Sequence, residues 1–155
     1  MSTDASRQNE MKRVLKQIIN ALEDSQKGFA ELGEHLKDET LKRHFLGESL
    51  KRANFRGELE NELHRAGVHD VHESGTAAGT VLRMWGELKA RFGAGDHALL
   101  ETAEQAEDTT RDVYDEALKD ENLPLPLRQV LAEQQAQVLE MHAYIRMHRD
   151  AVPTR

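Results

Sequence analysis

Eight polar residues interrupt the apolar stripes of this sequence, and they are the first candidates for chemistry. They comprise carboxylates, amides, hydroxyls, one guanidinium and one imidazole: Ser25, Gln26, Glu48, Arg52, Glu107, Thr110, Gln134 and His142. Carboxylates together with an imidazole can ligate a divalent metal, whereas an arginine near a carboxylate favours an ion pair. The residues therefore predict a buried polar layer that either holds metal or fixes helix register through satisfied hydrogen bonds.

The elements that must position these residues are helices. Apolar residues recur every three or four positions, and the only prolines are Pro124, Pro126 and Pro153. The pattern predicts five helices in a single domain spanning 1–155, at about 7–36, 39–66, 76–91, 97–120 and 126–150. Asp38 and Asp96 are expected to cap the second and fourth helices.

Consecutive long helices with short connections pack antiparallel. The first two and the last two predicted helices therefore form two helical hairpins, and the short helix 76–91 is a crossover between them. The expected fold class is an all-α, antiparallel four-helix bundle, and a single long crossover is the ferritin-like topology. The polar interruptions fall near the middle of all four long helices, so they are expected to meet in one layer.

Composition narrows the function classes. The 155-residue chain has no cysteine, carries 32% charged residues and has a formal net charge of −7. These values argue against thiol chemistry, cysteine-ligated metal and a membrane protein. The sequence contains no marked Lys/Arg cluster, so binding to nucleic acid or to an anionic membrane surface is not expected. The first residues show no secretory signal pattern, so a cytoplasmic location is expected.

Several segments together resemble an uncharacterised bacterial four-helix-bundle family of the ferritin-like superfamily, from about Val14 to Asp150. The matching residues are Gly28-Phe29, Arg52-x-x-Phe55-x-x-Glu58-Leu59, Gly75 with Gly79, Trp85-x-x-Leu88-Lys89, Glu104-x-x-Glu107-Asp108, Tyr114 with Ala117-Leu118, Arg128, Gln134 and His142. The resemblance implies a ferritin-like bundle and supplies no established activity.

Ferritin-like di-iron proteins draw one Glu from each of two helices and Glu-x-x-His from each of the other two. No Glu or Asp of this chain has a His three positions later. A di-iron centre of the usual kind is therefore not expected, and no cofactor is predicted. Arg52 is expected to supply the positive charge that a metal would otherwise provide, by pairing with Glu48 or Glu107. The alternative is an unconventional iron or manganese site that uses Glu107, Gln134 and His142.

Three further patterns have metal-ligand spacing but favour a surface interpretation. His69-x-x-His72, with Asp70 and Glu73, falls in a predicted loop. Glu31 and His35 are one helical turn apart, and Glu31 points away from the apolar stripe. The acidic run of Glu101, Glu104, Glu107 and Asp108 reads as a solvated helix edge with only Glu107 turned inward.

A second apolar strip on the predicted second helix indicates assembly. Leu46, Leu50, Ala53 and Gly57 lie roughly opposite the main stripe, so the crossover helix or another copy of the chain must cover them. We expect a homodimer, the commonest oligomer class. The predicted function is a non-enzymatic ferritin-like bundle, stress-associated by analogy, that acts through self-assembly or partner binding. The alternatives are a metal-binding or oxidase-type protein with a non-standard di-metal site, and an adaptor whose groove receives an amphipathic helix.

Overall fold

The computed structural model describes residues 4–68, 85 and 89–151, and within them every regular element is helical. The four long helices are α1 (Asp4–His35), α2 (Glu39–Arg65), α3 (Asp96–Leu118) and α4 (Leu125–Ala151), with a 3₁₀ turn at Lys89–Arg91. Helix α1 packs against α2 and α3, and α3 packs against α4. The all-helical bundle is confirmed. Most of the expected crossover helix 76–91 lies outside the described residues.

The ends of α2 follow from local sequence. The Asp38 carboxylate accepts a hydrogen bond from the backbone N–H of Leu41 at 2.9 Å, as expected of an N-cap. Gly67 follows the helix with φ of 88°, a conformation that costs glycine little.

Asp96 does not cap α3, and the prediction that it would is wrong. Gly95 occupies the cap position without a side-chain bond, and Asp96 is the first helical residue. Its carboxylate instead accepts from the backbone N–H groups of Lys37 at 2.8 Å and Asp38 at 3.0 Å. The reason is tertiary: the start of α3 lies beside the connection between α1 and α2, whose N–H groups need acceptors.

The buried core consists of two apolar clusters, and each draws side chains from all four helices. The first centres on Leu15, Ile18, Leu22, Leu59, Leu63, Tyr114 and Leu131. The second centres on Phe29, Leu32, Phe45, Leu99, Ala103, Met141 and Ile145. Most of the buried polar residues lie along the chain between members of the two clusters, namely Ser25, Glu48, Arg52, Glu107 and Thr110, whereas Gln134 lies between Leu131 and Val138 of the first cluster.

Trp85 packs against α1 at a point where only glycine fits. A Cβ at Gly28 would lie 2.2 Å from Trp85 Cδ2, far inside van der Waals contact. The Trp85 indole also packs edge-on against Phe29, with ring centroids 4.9 Å apart. This contact joins two elements of the family resemblance, which are far apart in the sequence.

The strip formed by Leu46, Leu50, Ala53 and Gly57 is exposed in its outer part. Leu50 is 69% exposed and Leu46 is 39% exposed, although Leu46 also rests on Gly33 of α1. A Cβ at Gly57 would meet no atom within 4 Å. Trp85 rests on Gly28, whereas Leu46 rests on Gly33. Since each helical residue advances about 100°, these two glycines are about 140° apart around α1, and Trp85 and Leu46 therefore contact different sides of that helix.

Candidate functional site

Arg52 lies at the centre of the bundle with its side chain completely buried. Its Nε donates to Glu48 Oε2 at 2.9 Å, one helical turn earlier on α2. Its Nη1 and Nη2 donate to the two carboxylate oxygens of Glu107 on α3, at 2.8 and 2.5 Å. This is the bidentate geometry that makes arginine–carboxylate pairs strong and directional. The guanidinium thus joins two carboxylates from two helices.

Phe29 of α1 provides one face of the guanidinium site. The Arg52 Cζ lies 4.9 Å from the centroid of the Phe29 ring. A cation over an aromatic face is attracted by the ring quadrupole, and more strongly so where water is excluded. Three helices therefore hold the guanidinium through chemically different contacts.

A second part of the layer consists of neutral hydrogen bonds. Ser25 and Thr110 hydroxyls pair at 3.2 Å, and the Thr110 hydroxyl also lies 3.2 Å from the carbonyl of Ala106. The Tyr114 hydroxyl donates to Gln134 Oε1 at 2.7 Å. The Ser25–Thr110 contact joins α1 to α3 and the Tyr114–Gln134 bond joins α3 to α4, two pairs of helices that the ion pair does not join.

Gln134 extends this neutral part to α2. Its Nε2 donates to the backbone carbonyl of Phe55 at 3.2 Å, so both ends of the Gln134 amide are used. Tyr114 was missing from the predicted layer, although it lies one turn beyond Thr110 on the same face of α3. The polar interruption at Thr110 was the signal for it, because residues four apart share a helix face.

Two of the eight predicted residues lie at the edge of the layer. Gln26 is half-buried, and its backbone carbonyl, not its side chain, accepts a hydrogen bond from Ser49 Oγ at 2.8 Å. His142 is half-buried, and its Nε2 lies 2.5 Å from Asp108 Oδ1. The other six residues, Ser25, Glu48, Arg52, Glu107, Thr110 and Gln134, are buried.

The ionic part of the layer carries more negative than positive charge. One guanidinium faces two carboxylates, so the formal charge of Glu48, Arg52 and Glu107 is −1. Burial away from water raises the pKa of Glu107, while the charge of Arg52 and its hydrogen bonds oppose that rise. Burial alone would lower the pKa of Arg52, but Glu107 and Glu48 raise it above its ordinary value. The guanidinium therefore stays charged.

The candidate metal ligands make other contacts. Both oxygens of Glu107 face Arg52, and both ends of the Gln134 amide are bonded. His142 faces Asp108. Across residues 4–68, 85 and 89–151, no three His, Asp or Glu side chains converge as a metal site would require. A guanidinium within the layer also repels a divalent cation.

Two of the other patterns with metal-ligand spacing are the His69/His72 pattern and the Glu31/His35 pair. His69, His72 and their acidic neighbours lie outside the described residues. His35 Nδ1 lies 2.9 Å from the backbone carbonyl of Glu31, not from its carboxylate, and the imidazole stacks on Phe92 with centroids 3.6 Å apart. That pair is therefore a helix-end contact, not a ligand pair.

The acidic run on α3 is more buried than its spacing indicated. The prediction that only Glu107 turns inward is wrong, because Glu104 is only 7% exposed. Two arginines of α4, Arg146 and Arg149, donate to the Glu104 carboxylate and compensate its burial. Sequence spacing on α3 alone could not show them, since both partners come from another helix.

The fold and the layer define an all-helical bundle whose centre is a buried ion pair. Residues 10–121 match the family described as Domain of unknown function (DUF2383), which is most of the chain, so the protein belongs to that family. No curated protein matches the chain. The match agrees with the expected membership of an uncharacterised family. No described helix combines the length and apolar character needed to cross a membrane.

Proposed function

We propose that this protein is a non-enzymatic, ferritin-like bundle in which an ion pair replaces the metal centre. In this proposal the helices are antiparallel, residues 76–91 form the crossover, and the protein acts in the cytoplasm through self-assembly or partner binding. A stress-associated role follows from analogy with ferritin-like proteins. The observation that carries the proposal is Arg52, completely buried and bonded to Glu48 and Glu107.

The chemistry of the layer supports a structural role. All three nitrogens of the Arg52 guanidinium donate to a carboxylate, and both ends of the Gln134 amide have a partner. A hydrogen-bonded polar network of this kind rigidifies a core and fixes helix register. Within the layer, the Ser25 and Thr110 hydroxyls bond each other.

One observation favours the alternative of a non-standard di-metal protein. Glu48 and Glu107 come from different helices and converge on one point, as carboxylate ligands of a metal pair do. His142, on a third helix, lies close enough to Glu107 to influence its pKa. In that alternative a cation would displace the guanidinium.

Elemental analysis distinguishes the two proposals. The protein is purified without an affinity tag, incubated anaerobically with Fe(II) or Mn(II), desalted and assayed for bound metal. The preferred proposal expects well under one metal ion per chain. One or more ions per chain that remain in wild type and are lost in Glu107→Gln would establish the metal-binding alternative.

Self-assembly is proposed to use the strip formed by Leu46, Leu50, Ala53 and Gly57. Its two leucines are exposed and its small residues permit a close approach of a second helix. We expect sedimentation equilibrium to give a dimer that Leu50→Glu converts to a monomer. Leu125→Glu is the matched control, because Leu125 is 66% exposed but lies at the start of α4. A monomeric wild type, or equal effects of the two variants, would reject this interface.

A further inference from the structure

The exposed strip on α2 belongs to a longer seam along the outer face of this helix. Alternating steps of three and four residues extend the strip by two polar positions at each end. The eight seam positions are Glu39, Arg43, Leu46, Leu50, Ala53, Gly57, Glu60 and His64. This heptad spacing is that of the contact positions in a two-stranded coiled coil. At a rise of about 1.5 Å per residue the seam spans about 38 Å, which is almost the whole of α2.

The middle of the seam is open to solvent. Leu50 is 69% exposed, and no atom lies within 4 Å of the position that a Cβ on Gly57 would take. Glycine destabilises a helix interior relative to alanine, and among the described residues this glycine has no close neighbour that would require it. The close approach of a second helix would use the missing side chain.

The order of side-chain sizes makes the seam complementary to itself only when one copy is reversed. The two leucines come first along α2, and the alanine and glycine come second. In an antiparallel pair related by a two-fold axis beside the midpoint of residues 50 and 53, Leu46 faces Gly57 of the second copy. Leu50 then faces Ala53 of the second copy, so each leucine fills the space that a small residue leaves. A parallel pair would instead place leucine against leucine and leave a gap between the two glycines.

The same antiparallel register pairs unlike charges at both ends of the seam. Arg43 is exposed and faces Glu60 of the second copy, and Glu39 is exposed and faces His64 of the second copy. Glu60 is half-buried, and its carboxylate also lies 3.4 Å from Arg56 of its own helix. Charges beside a coiled-coil contact set the orientation of the partner more than they add affinity. A parallel pair would place like charges together at each of these positions.

The charges that flank the seam follow the same order. Lys42 and Lys51 flank its first half, whereas Glu58 flanks its second half, so an antiparallel pair brings unlike flanks together. Arg65 has the opposite sign to Glu58, but it pairs with Glu62 at 3.0 Å within its own helix. Antiparallel helices also place the partial positive end of each helix beside the partial negative end of the other.

We infer that two copies of this chain associate through α2 as an antiparallel coiled-coil pair, with the leucines of each copy against Ala53 and Gly57 of the other. The inference rests on the self-assembly proposed above and adds its orientation and register. Every seam residue contacts a different seam residue of the second copy, as a two-fold interface requires. The seam drifts by about 20° per heptad around a straight helix, so the two α2 helices cross at a shallow, left-handed angle.

Cross-linking tests the orientation, because the chain contains no cysteine and each introduced thiol is unique. Glu39→Cys and His64→Cys are prepared separately as full-length, untagged proteins, then mixed, equilibrated and mildly oxidised. We expect a mixed disulfide between the two variants. Each variant alone should give little covalent dimer, because its two thiols lie about 38 Å apart in the antiparallel pair. Efficient cross-linking of each variant to itself would indicate a parallel pair and overturn the inference.

Charge reversal tests the register. Arg43→Glu should raise the dissociation constant of the dimer about tenfold or more, and Arg43→Glu combined with Glu60→Arg should restore it to within about threefold of wild type. Lys51→Glu is the matched control, because it reverses an exposed charge of the same helix outside the seam. Sedimentation equilibrium measures the constants, and circular dichroism verifies that each variant folds.

The outcomes separate this inference from the proposed function. A monomeric wild type would reject self-assembly itself, and the inference with it. A dimer that Leu50→Glu dissociates, but in which Arg43→Glu and Lys51→Glu have equal effects or the double variant is not restored, would keep the proposed interface and overturn the register alone.

Discussion

Replacing Arg52 by methionine tests the central claim that a guanidinium holds the middle of the bundle together. Methionine fills much of the same space but offers no donor. The change would leave the Glu107 carboxylate completely buried without a cation, and it would remove the partner of Glu48. Both carboxylates would then have to ionise in the core or take up protons.

The expected cost follows from the contacts. Three charge-assisted hydrogen bonds and one contact with the Phe29 ring are lost together. Such contributions are not additive, and removal of one partner of a buried ion pair costs about 3–5 kcal/mol. Because protonation relieves an unpaired carboxylate, the loss should be smaller at pH 5 than at pH 8.

Urea denaturation followed by circular dichroism measures this loss. Arg56→Met is the matched control, since Arg56 lies one turn later on α2 and makes only a partly exposed pair with Glu60. It should change the free energy of unfolding by less than about 1 kcal/mol. Combining Arg52→Met with Glu48→Met and Glu107→Leu should restore stability to within about 2 kcal/mol of wild type, because an apolar layer has no charge to solvate.

Two results would refute this reasoning. A loss below about 1 kcal/mol in Arg52→Met would mean that the guanidinium does not hold the layer. A triple variant as unstable as Arg52→Met would mean that lost packing, and not an unpaired charge, causes the destabilisation.

Three further predictions concern other parts of the bundle. Burial raises the pKa of Asp24 from its ordinary 3.8 to about 6, so the stabilising contribution of this carboxyl is complete below pH 3.8 and is lost as pH rises through 6. Asp24→Asn should therefore raise the free energy of unfolding by about 1 kcal/mol at pH 7.5, after solvent screening of this half-buried group, and by little at pH 4.5. Urea titration at the two pH values measures this difference. Gly28→Ala should lower the melting temperature and shift the fluorescence of Trp85, because the new methyl group overlaps the indole; an unchanged emission spectrum would contradict that contact. Tyr114→Phe should cost about 1–2 kcal/mol by leaving Gln134 Oε1 without its donor, and a neutral result in denaturation would argue against that hydrogen bond.

The helical periodicity of the sequence was sufficient to predict the four long helices and the residues of the ionic layer. Glu48, Arg52 and Glu107 interrupt apolar stripes, and a polar residue near the middle of such a stripe is expected to face the core. Spacing on one helix also brings Glu48 and Arg52 together, because residues four apart share a face. What spacing could not decide was whether Arg52 bonds one carboxylate or both.

The contacts that Asp96 and Glu104 make with other parts of the bundle were beyond the reach of the sequence. Asp96 reaches back to the α1–α2 connection, and Glu104 receives two arginines from α4. Both depend on how far each helix is rotated about its axis and shifted along it. A period of three or four residues constrains the buried face only to within tens of degrees, so the partners of groups at its edge stay undetermined.

The division of the core into two apolar clusters has a consequence for how the helices find their alignment. Leucine and alanine stripes are nearly interchangeable, and sliding α3 by one turn, about 5.4 Å, would still bury apolar surface against its neighbours. That slide would, however, carry the Glu107 oxygens out of reach of Arg52 and press a charged group into hydrocarbon. The ion pair therefore fixes the relative position of the helices along the bundle axis, because packing arrangements in which α3 is shifted would leave its charged groups buried without partners.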